Sequence, residues 1–523
     1  MTTTRAGSAG AAGGAELLLG VDAGQTVTKA CVFDREGREL GAGSARVRVD
    51  SPRPGWVERD LDEVWAATVQ AIVAALAAAG VSGARVGAVG IVGHNDGLYL
   101  LDESGRPVRP AVTAMDTRAH DVLRDWRASP VWARALELTG QVPYAGSPST
   151  LLAWFARHDP RVLDRTRWVL FCKDWLRYRL TGAIATDPSE ASCAFTSVRT
   201  QDYAPEALDL YGLSSLGGSG ELRWPGLADR LPRLLPSAAV AGEVTAEGAA
   251  ATGLAPGTPV VTGAHDVDGT AVGLGAVEPG LLSLVGGTFS INQVVSADAV
   301  VDERWQARTF VEPGRWLAMS TSASSATNLD WWRTAFGVPG TDEGYAALER
   351  EAAGALSGPS QLVYHPFLYG SPYGETASAA FLGVRGWHTR GDLVRGLMEG
   401  VVLGHRVHVD ALRERFALAD VARLSGGAAR SAVWSQMFAD ALDTEIEVAA
   451  GTELGARGAA LLAALGVGWY SSLAETARTV RIVRRHVPDP ARREVLADAY
   501  RRFVAVAQAL GPWWDDHHSA SSG

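Results

Sequence analysis

Apolar and polar positions along the chain predict an α/β unit that occurs twice. Leu17 to Asp34 reads as strand, tight turn, strand: LLLGVD, the bend AGQT, then VTKACVFD, with β-branched residues and alternation on the return. From Asp62 to Gly80 apolar residues recur at helical spacing and stop at a glycine. Val86 to Val92 is a short apolar strand that runs into the polar loop Gly93-His94-Asn95-Asp96-Gly97. Trp168 to Gly182 is a second strand-to-helix passage, and Asp187-Pro188-Ser189-Glu190 opens a helix or turn with Asp187 as its N-cap or as a site residue.

Near Gly257 the pattern begins again. Thr258 to Thr262 is an apolar strand followed by GAHD, and Leu281 to Val295 repeats the strand, glycine turn and returning strand. Helical patterns over Gly391–Phe416 and Leu454–Leu465 flank a short strand at Ala422–Leu424. Two α/β domains with a cleft between them are therefore expected, at 16–256 and 257–510. A disordered segment, 1–15, would precede them and a mobile tail, 511–523, would follow.

Composition narrows the function. The 523 residues are 47% hydrophobic and 20% charged, enough for two separate cores. A net charge of -10, with 58 acidic against 48 basic residues, lacks the footprint of a nucleic-acid binder and points to small molecules or proteins as partners. Cys31, Cys172 and Cys193 are widely spaced and match no metal-ligand or disulfide pattern, which suits reduced thiols in a cytoplasmic protein. No segment offers an uninterrupted span of membrane length. The basic residues are almost all Arg; the lysines are Lys29 and Lys173, each a candidate for a place where a compact ammonium is needed.

Neither lysine follows a Walker-type loop, and Gly273-Leu274-Gly275 fails the dinucleotide pattern because Glu278 occupies the third glycine position. Two hairpin turns remain, Asp22-Ala23-Gly24-Gln25-Thr26 and Gly286-Gly287-Thr288, whose glycines let backbone N–H groups approach an anion. On opposite sides of a cleft they could hold a polyphosphate, with the Thr26 and Thr288 hydroxyls as donors, Lys29 balancing charge and Asp22 holding hydrated Mg2+. Asp266, at a strand end, is the candidate base for transfer to an alcohol. Asp268 competes, because on a continuing strand it would share the same face. The turn Leu424 to Ser431 could approach a base or ribose. His405 and His408 lie one helical turn apart without a third ligand, so a buried helix face is preferred to a metal site. Trp331 and Trp332 could line the cleft, with core packing as the default.

DAGQTVTK at Asp22, KDWLRYRLTG at Lys173, GAHDVDGTAVG around Asp266, GGTFS at Gly286, SGGAARSAVWSQMFAD at Ser425 and ELGARGAALLA at Glu453 occur in the order seen in FGGY carbohydrate kinases. The chain resembles that family over about Leu17 to Leu510. The resemblance implies two ribonuclease-H-like (actin-like ATPase) domains, ATP and Mg2+ between them, and phosphorylation of a sugar or polyol hydroxyl. Matched position by position, ATP would meet Asp22, Gly24, Thr26, Lys29, Gly287, Thr288, Gly426, Gly427, Ala428 and Ser431. Asp266 becomes the catalytic aspartate, with Gly273 closing its motif. It also joins Asp22 as a metal-facing carboxylate and Asn95, Asp96 and Tyr144 as a substrate-facing residue.

Departures bear on the substrate. Asn95-Asp96 stands where xylulokinases read Gly-Gln-Met-His-Gly and glycerol kinases Arg-Glu; Gln25 replaces a frequent Thr, and GAHDV replaces GGGDN. PGWVERD at Pro54, GLYLLD at Gly97, HPFLYGSPYG, WHTR, EGVV and RERF are similar to the branch holding L-xylulose/3-keto-L-gulonate kinases and erythritol kinases. A ketopentose such as L-xylulose is the expected substrate, with a tetritol or a non-catalytic sugar sensor as alternatives; the resemblance allows a homodimer. An acidic Asp96 suits a neutral polyhydroxy compound better than a sugar acid. Asp116 and Arg118 match an Asp-x-Arg element of the family, readable as substrate contact or internal ion pair.

Overall fold

The computed structural model describes residues 16–213, 226–356, 358, 361–374 and 376–521. The segment 1–15 expected to be disordered lies outside them. The predicted first hairpin is present as β1 (Leu17–Ala23) and β2 (Val27–Phe33), extended by β3 (Glu39–Arg46). β4 (Val86–Gly93), β5 (Val240–Glu243), β6 (Pro259–Val261) and β7 (Ala264–His265) complete the first sheet. Its order is β3-β2-β1-β4-β6-β5, with β7 also beside β4. β1, β4 and β6 run parallel, and β2, β3 and β5 run against their neighbours.

The second sheet holds β8 (Leu282–Gly286), β9 (Ser290–Ser296), β10 (Gln306–Thr309), β11 (Trp316–Ser322), β12 (Val421–Ser425), β13 (Glu445–Ala449) and β14 (Ile482–His486). Its order is β10-β11-β9-β8-β12-β13-β14. Apart from the added edge strand β10, the sequence of antiparallel and parallel neighbours repeats that of the first sheet. The duplication expected from two hairpins is thus real at the level of topology.

The helices are amphipathic covers for these sheets. α1 (Leu61–Ala79) starts on the Asp60 cap and ends on left-handed Gly80. It passes the length and hydropathy test for a membrane span, yet half of it is buried against the first sheet. α2 (Cys172–Thr181), the short α3 (Pro188–Ala191) and α4 (Asp266–Leu274) belong to the same domain. In the second domain α5 (Arg390–Arg413), α6 (Ala432–Leu442) and α8 (Pro490–Ser521) build the core, whereas α7 (Leu454–Gly466) crosses back to pack on β1 and β4. Two strand glycines permit that approach: a Cβ at Gly20 would lie 1.8 Å from Ala456 O, and one at Gly90 1.9 Å from Ala459 O.

Two expected boundaries move. β6 and β7 pair within the first sheet, so the division expected at 257 falls between α4 and β8. α8 runs through the expected tail start at 511 to Ser521, with Trp514 buried in the second core. The buried Trp514 side chain holds the helix past Pro512 despite the polar composition of the end. Residues 522–523 lie outside the described chain.

Candidate active site

In the antiparallel pairing of β1 and β2, Asp22 stands directly opposite Lys29. Opposed residues project from the same face of a hairpin. Lys29 Nζ is 2.9 Å from the Glu453 carboxylate, just before α7. Burial, then the charge of Asp266, pushes the Asp22 carboxyl up to about 7 against the lowering effect of Lys29. A buried carboxyl raised by a neighbouring carboxylate marks a place short of a cation. A Cβ at Gly455 would lie 2.3 Å from Asp22 Oδ2, so the first turn of α7 seats this carboxylate only because residue 455 is glycine. Buried Arg59, which sequence reasoning missed, donates from Nη2 to Gly24 O at 3.3 Å and to Gln25 O, bracing the bend from below. Thr26 is exposed at its tip.

Asp266 follows β7, whose His265 pairs with Gly93; Gly93 in turn pairs with Ala23, the neighbour of Asp22. Three neighbouring parallel strands therefore deliver Asp22, His94 and Asp266 to one edge of the sheet. The expectation that Asp266 and Asp268 share a strand face is corrected here, because helix α4 begins at Asp266. Two helical positions differ by about 200°. The Asp266 side chain is 30% exposed and that of Asp268 is wholly buried. His265 lies between them, Nε2 3.1 Å from Asp266 Oδ1 and Nδ1 3.4 Å from Asp268 Oδ2. Burial would lower its pKa, but the two carboxylates outweigh burial and raise it to about 10. Burial pushes Asp268 up to about 6 despite His265.

A buried charge network supports this junction. Lys173 Nζ is 2.7 Å from Asp174 and 3.0 Å from Asp187, all with fully buried side chains. Asp187 caps α3, which is the N-cap role offered for it. It also accepts from the Ser189 hydroxyl at 2.6 Å, and Ser189 Oγ accepts from the backbone N–H of His265 at 3.0 Å. Lys173 is therefore an internal anchor, joined through Asp187 and Ser189 to the backbone of His265 beside Asp266.

The polar loop after β4 is held in an unusual shape: Asp96 adopts φ 62°, in the left-handed region. Tyr144 donates its hydroxyl to Asp96 Oδ2 at 2.7 Å. Arg308 Nη2 lies 3.1 Å from Oδ2 and 3.4 Å from Oδ1 of the same carboxylate. Arg308 gave no local signal, being one polar residue in the short strand QART, 212 positions from its partner. Its presence changes the charge argument, since Asp96 is compensated and does not repel an anion as a lone carboxylate would. Asn95 is buried in the same loop, and neutral His94 accepts from Arg59 Nη1 at 3.2 Å, its pKa lowered to about 3 by burial and Arg59.

The second hairpin and the third glycine turn are in contact. Gly426 has φ 82°, and a Cβ there would lie 2.7 Å from Gly286 O and 3.0 Å from Gly287 N. Thr288 is exposed at the hairpin tip, and Gly287 O accepts from Ala326 N at 2.8 Å. Beside them opens a cavity of about 430 Å³ lined by Gly427, Ser431, Ala326, Leu329, Tyr345 and Trp434, among others. Ala428 is buried beneath the turn rather than in that lining. Ser431 caps α6 and donates to Glu349 at 2.8 Å.

Other candidates resolve as structure. Arg118 makes paired contacts of 2.9 and 2.8 Å with Asp116, and both side chains are fully buried, so that element is an internal ion pair. His405 bonds Asn292 and Ser325, and His408 bonds Ser320, on the buried face of α5. Trp332 packs on Phe336 at 4.0 Å in the second core, and neither it nor Trp331 lines the cavity. Among the described residues no group of three or more His, Cys, Asp or Glu side chains forms a metal cage. Asp22 and Asp266 nevertheless fit Mg2+, which takes one or two carboxylates and completes its shell with water and phosphate oxygens.

Two family models match the chain: the FGGY family of carbohydrate kinases, N-terminal domain, over residues 17–273, and its C-terminal domain over 282–467. The chain belongs to the FGGY family of carbohydrate kinases. The gap between the two matches coincides with the junction of α4 and β8. The kinase is 33% identical over 496 residues to the L-xylulose/3-keto-L-gulonate kinase of Escherichia coli, covering 94% of this chain and 97% of that protein. It is 29% identical to the erythritol kinase of Brucella abortus, covering 96% and 97%. The solved xylulose kinase of Rhodospirillum rubrum superposes with a TM-score of 0.84 at 29% identity, over 95% of this kinase and 100% of that chain. The two-domain actin-like ATPase fold expected from the motifs is thus the observed one.

Proposed function

We propose that this kinase transfers the γ-phosphoryl group of ATP to a hydroxyl of a ketose, with a ketopentose such as L-xylulose as the leading candidate. The observation that carries this reading is the half-open carboxylate of Asp266 beside Asp22, one oxygen engaged by His265, at the end of strands that also present the Asp96 loop. A sugar bound by Asn95, Asp96 and Tyr144 would bring its hydroxyl to Asp266. As the hydroxyl oxygen forms its bond to the γ-phosphorus, Asp266 takes the proton, the bond between that phosphorus and the bridging oxygen breaks, and ADP leaves.

The exposed hydroxyls of Thr26 and Thr288 and the backbone of Gly24 and Gly287 would bind phosphate oxygens, and Lys29 would balance their charge. Gly426, Gly427, Ala428 and Ser431 would shape the adenosine end beside the 430 Å³ cavity. Asp22 and Asp266 would hold Mg2+, which supplies charge neutralisation of the phosphates. Buried Cys31, Cys172 and Cys193, none in a disulfide, suit a cytoplasmic enzyme.

A second reading, a tetritol kinase, is favoured by the 29% identity to an erythritol kinase. The test is ADP release from purified protein with ATP, Mg2+ and a panel of pentuloses, tetritols and glycerol. Pentulose-dependent ADP is expected. Tetritol-dependent ADP alone would select the second reading, and no acceptor-dependent ADP would leave a sugar-binding protein without turnover.

A further inference from the structure

Arg308 belongs to the second sheet, yet its guanidinium completes the Asp96 loop of the first domain. Backbone contacts on both sides keep β10 there: Ala307 N donates to Gly140 O at 2.9 Å, Val142 N to Gln306 Oε1 at 2.9 Å and Thr309 N to Ser192 Oγ at 3.2 Å. Arg308 is 1% exposed. Its Nη2 serves Asp96, while Nε and Nη1 have no hydrogen-bond partner beyond the weakly accepting Cys193 thiol beside them. Asn95 Nδ2 in the same loop is also unpartnered and buried.

A guanidinium cannot shed its charge, and a buried donor without an acceptor is destabilising. Ionised Asp96 can only accept. The cluster thus pairs one acceptor with a surplus of buried donors. A polyol answers with hydroxyls alone, each of which must still place its own proton when it accepts. A carbonyl or carboxylate oxygen accepts with no proton to place.

We propose that Arg308 is a specificity-determining residue that selects substrates carrying a carbonyl or carboxylate oxygen next to the hydroxyls read by Asp96, and disfavours fully reduced polyols. This rests on the sugar-kinase reading above and sharpens its substrate class. Because Arg308 neutralises Asp96, a keto acid is admitted alongside a neutral ketose.

The experiment measures kcat and KM for a ketopentose, the matching pentitol and the matching keto aldonic acid, with wild type, Arg308→Met, Arg308→Lys and Asn95→Ala. Wild type should favour a carbonyl-bearing acceptor over the pentitol by at least about tenfold in kcat/KM, and the two carbonyl arms separate ketose from acid. Arg308→Met should bring that ratio to within about threefold while KM for ATP moves less than about twofold, and Arg308→Lys should fall between. Equal loss on all three acceptors, or a wild type that prefers the pentitol, overturns the proposal. Should Arg308→Met fail to fold, Asn95→Ala must reduce the ratio, and an unchanged ratio overturns it. A wild type silent on every acceptor instead overturns the kinase reading, and this proposal falls with it.

Discussion

Asp266 and Asp268 open the same helix two residues apart, yet one side chain is 30% exposed at the strand ends and the other is wholly buried against His265. Their chemistry must differ accordingly. Asp266→Asn should keep nucleotide binding and lose about a hundred- to ten-thousandfold in kcat, the usual worth of a positioned base. Asp268→Asn should retain measurable turnover. ADP release beside a nucleotide titration checks both, and similar kcat losses would deny Asp266 its separate role.

The Asp96 loop is tested by the split between substrates. Asp96→Ala removes the acceptor shared by Tyr144 and Arg308, so the sugar KM should rise far more than the ATP KM. Tyr144→Phe, which deletes one hydrogen bond of 2.7 Å, should act in the same direction with a smaller effect. Equal rises in both KM values would remove Asp96 from the sugar site.

The two lysines should fail in different ways. Lys173 is fully buried between Asp174 and Asp187, and Lys173→Met would leave Asp187 without its cation and Asp174 with Arg177 alone, at a cost of about 3–5 kcal/mol. A lowered denaturant midpoint is the expected result. Lys29 is 41% exposed. Lys29→Met should leave the midpoint in place and raise the ATP KM.

Gly455 is expected to set the metal requirement. A methyl at this position would collide with the Asp22 carboxylate, 2.3 Å away. Gly455→Ala should therefore raise the Mg2+ concentration for half-maximal activity with little change in sugar KM, read from activity titrated with Mg2+ at saturating sugar.

Acid should destabilise the second domain through α5. Burial lowers His405 to about 3, with His408 adding to the effect, and burial lowers His408 to about 4. Folded pKa values below the ordinary 6.5 mean that protonation favours the unfolded chain. Their contribution is complete above about pH 6.5 and drains as the pH falls toward 4, by about 1.4 kcal/mol per unit for each group. Denaturant midpoints across that range should fall for wild type and fall less steeply for the double variant His405→Gln, His408→Gln.

Both hairpins, the polar loop after β4 and the glycine turn after β12 were legible along the chain, because turn chemistry and hydrophobic period reside in adjacent residues. The duplicated unit followed from them, although its boundary did not. Gly257 looks like a fresh start, but whether β6 joins the first sheet or the second depends on pairing with β4, which local pattern does not carry. Arg59 and Arg308 were invisible for a related reason: an Arg in a strand is an ordinary surface residue until a distant backbone buries it.

The sequence by itself determined that two glycine bends, a strand-end carboxylate and a polar loop exist, since each is a property of a few consecutive residues. Only the tertiary structure decided that Asp266 and not Asp268 is exposed, that α7 from the second half supports β1 of the first, and that Arg308 reaches Asp96. Those outcomes depend on where a helix begins and on which remote segments exclude water together. Such choices are made by packing across the whole chain.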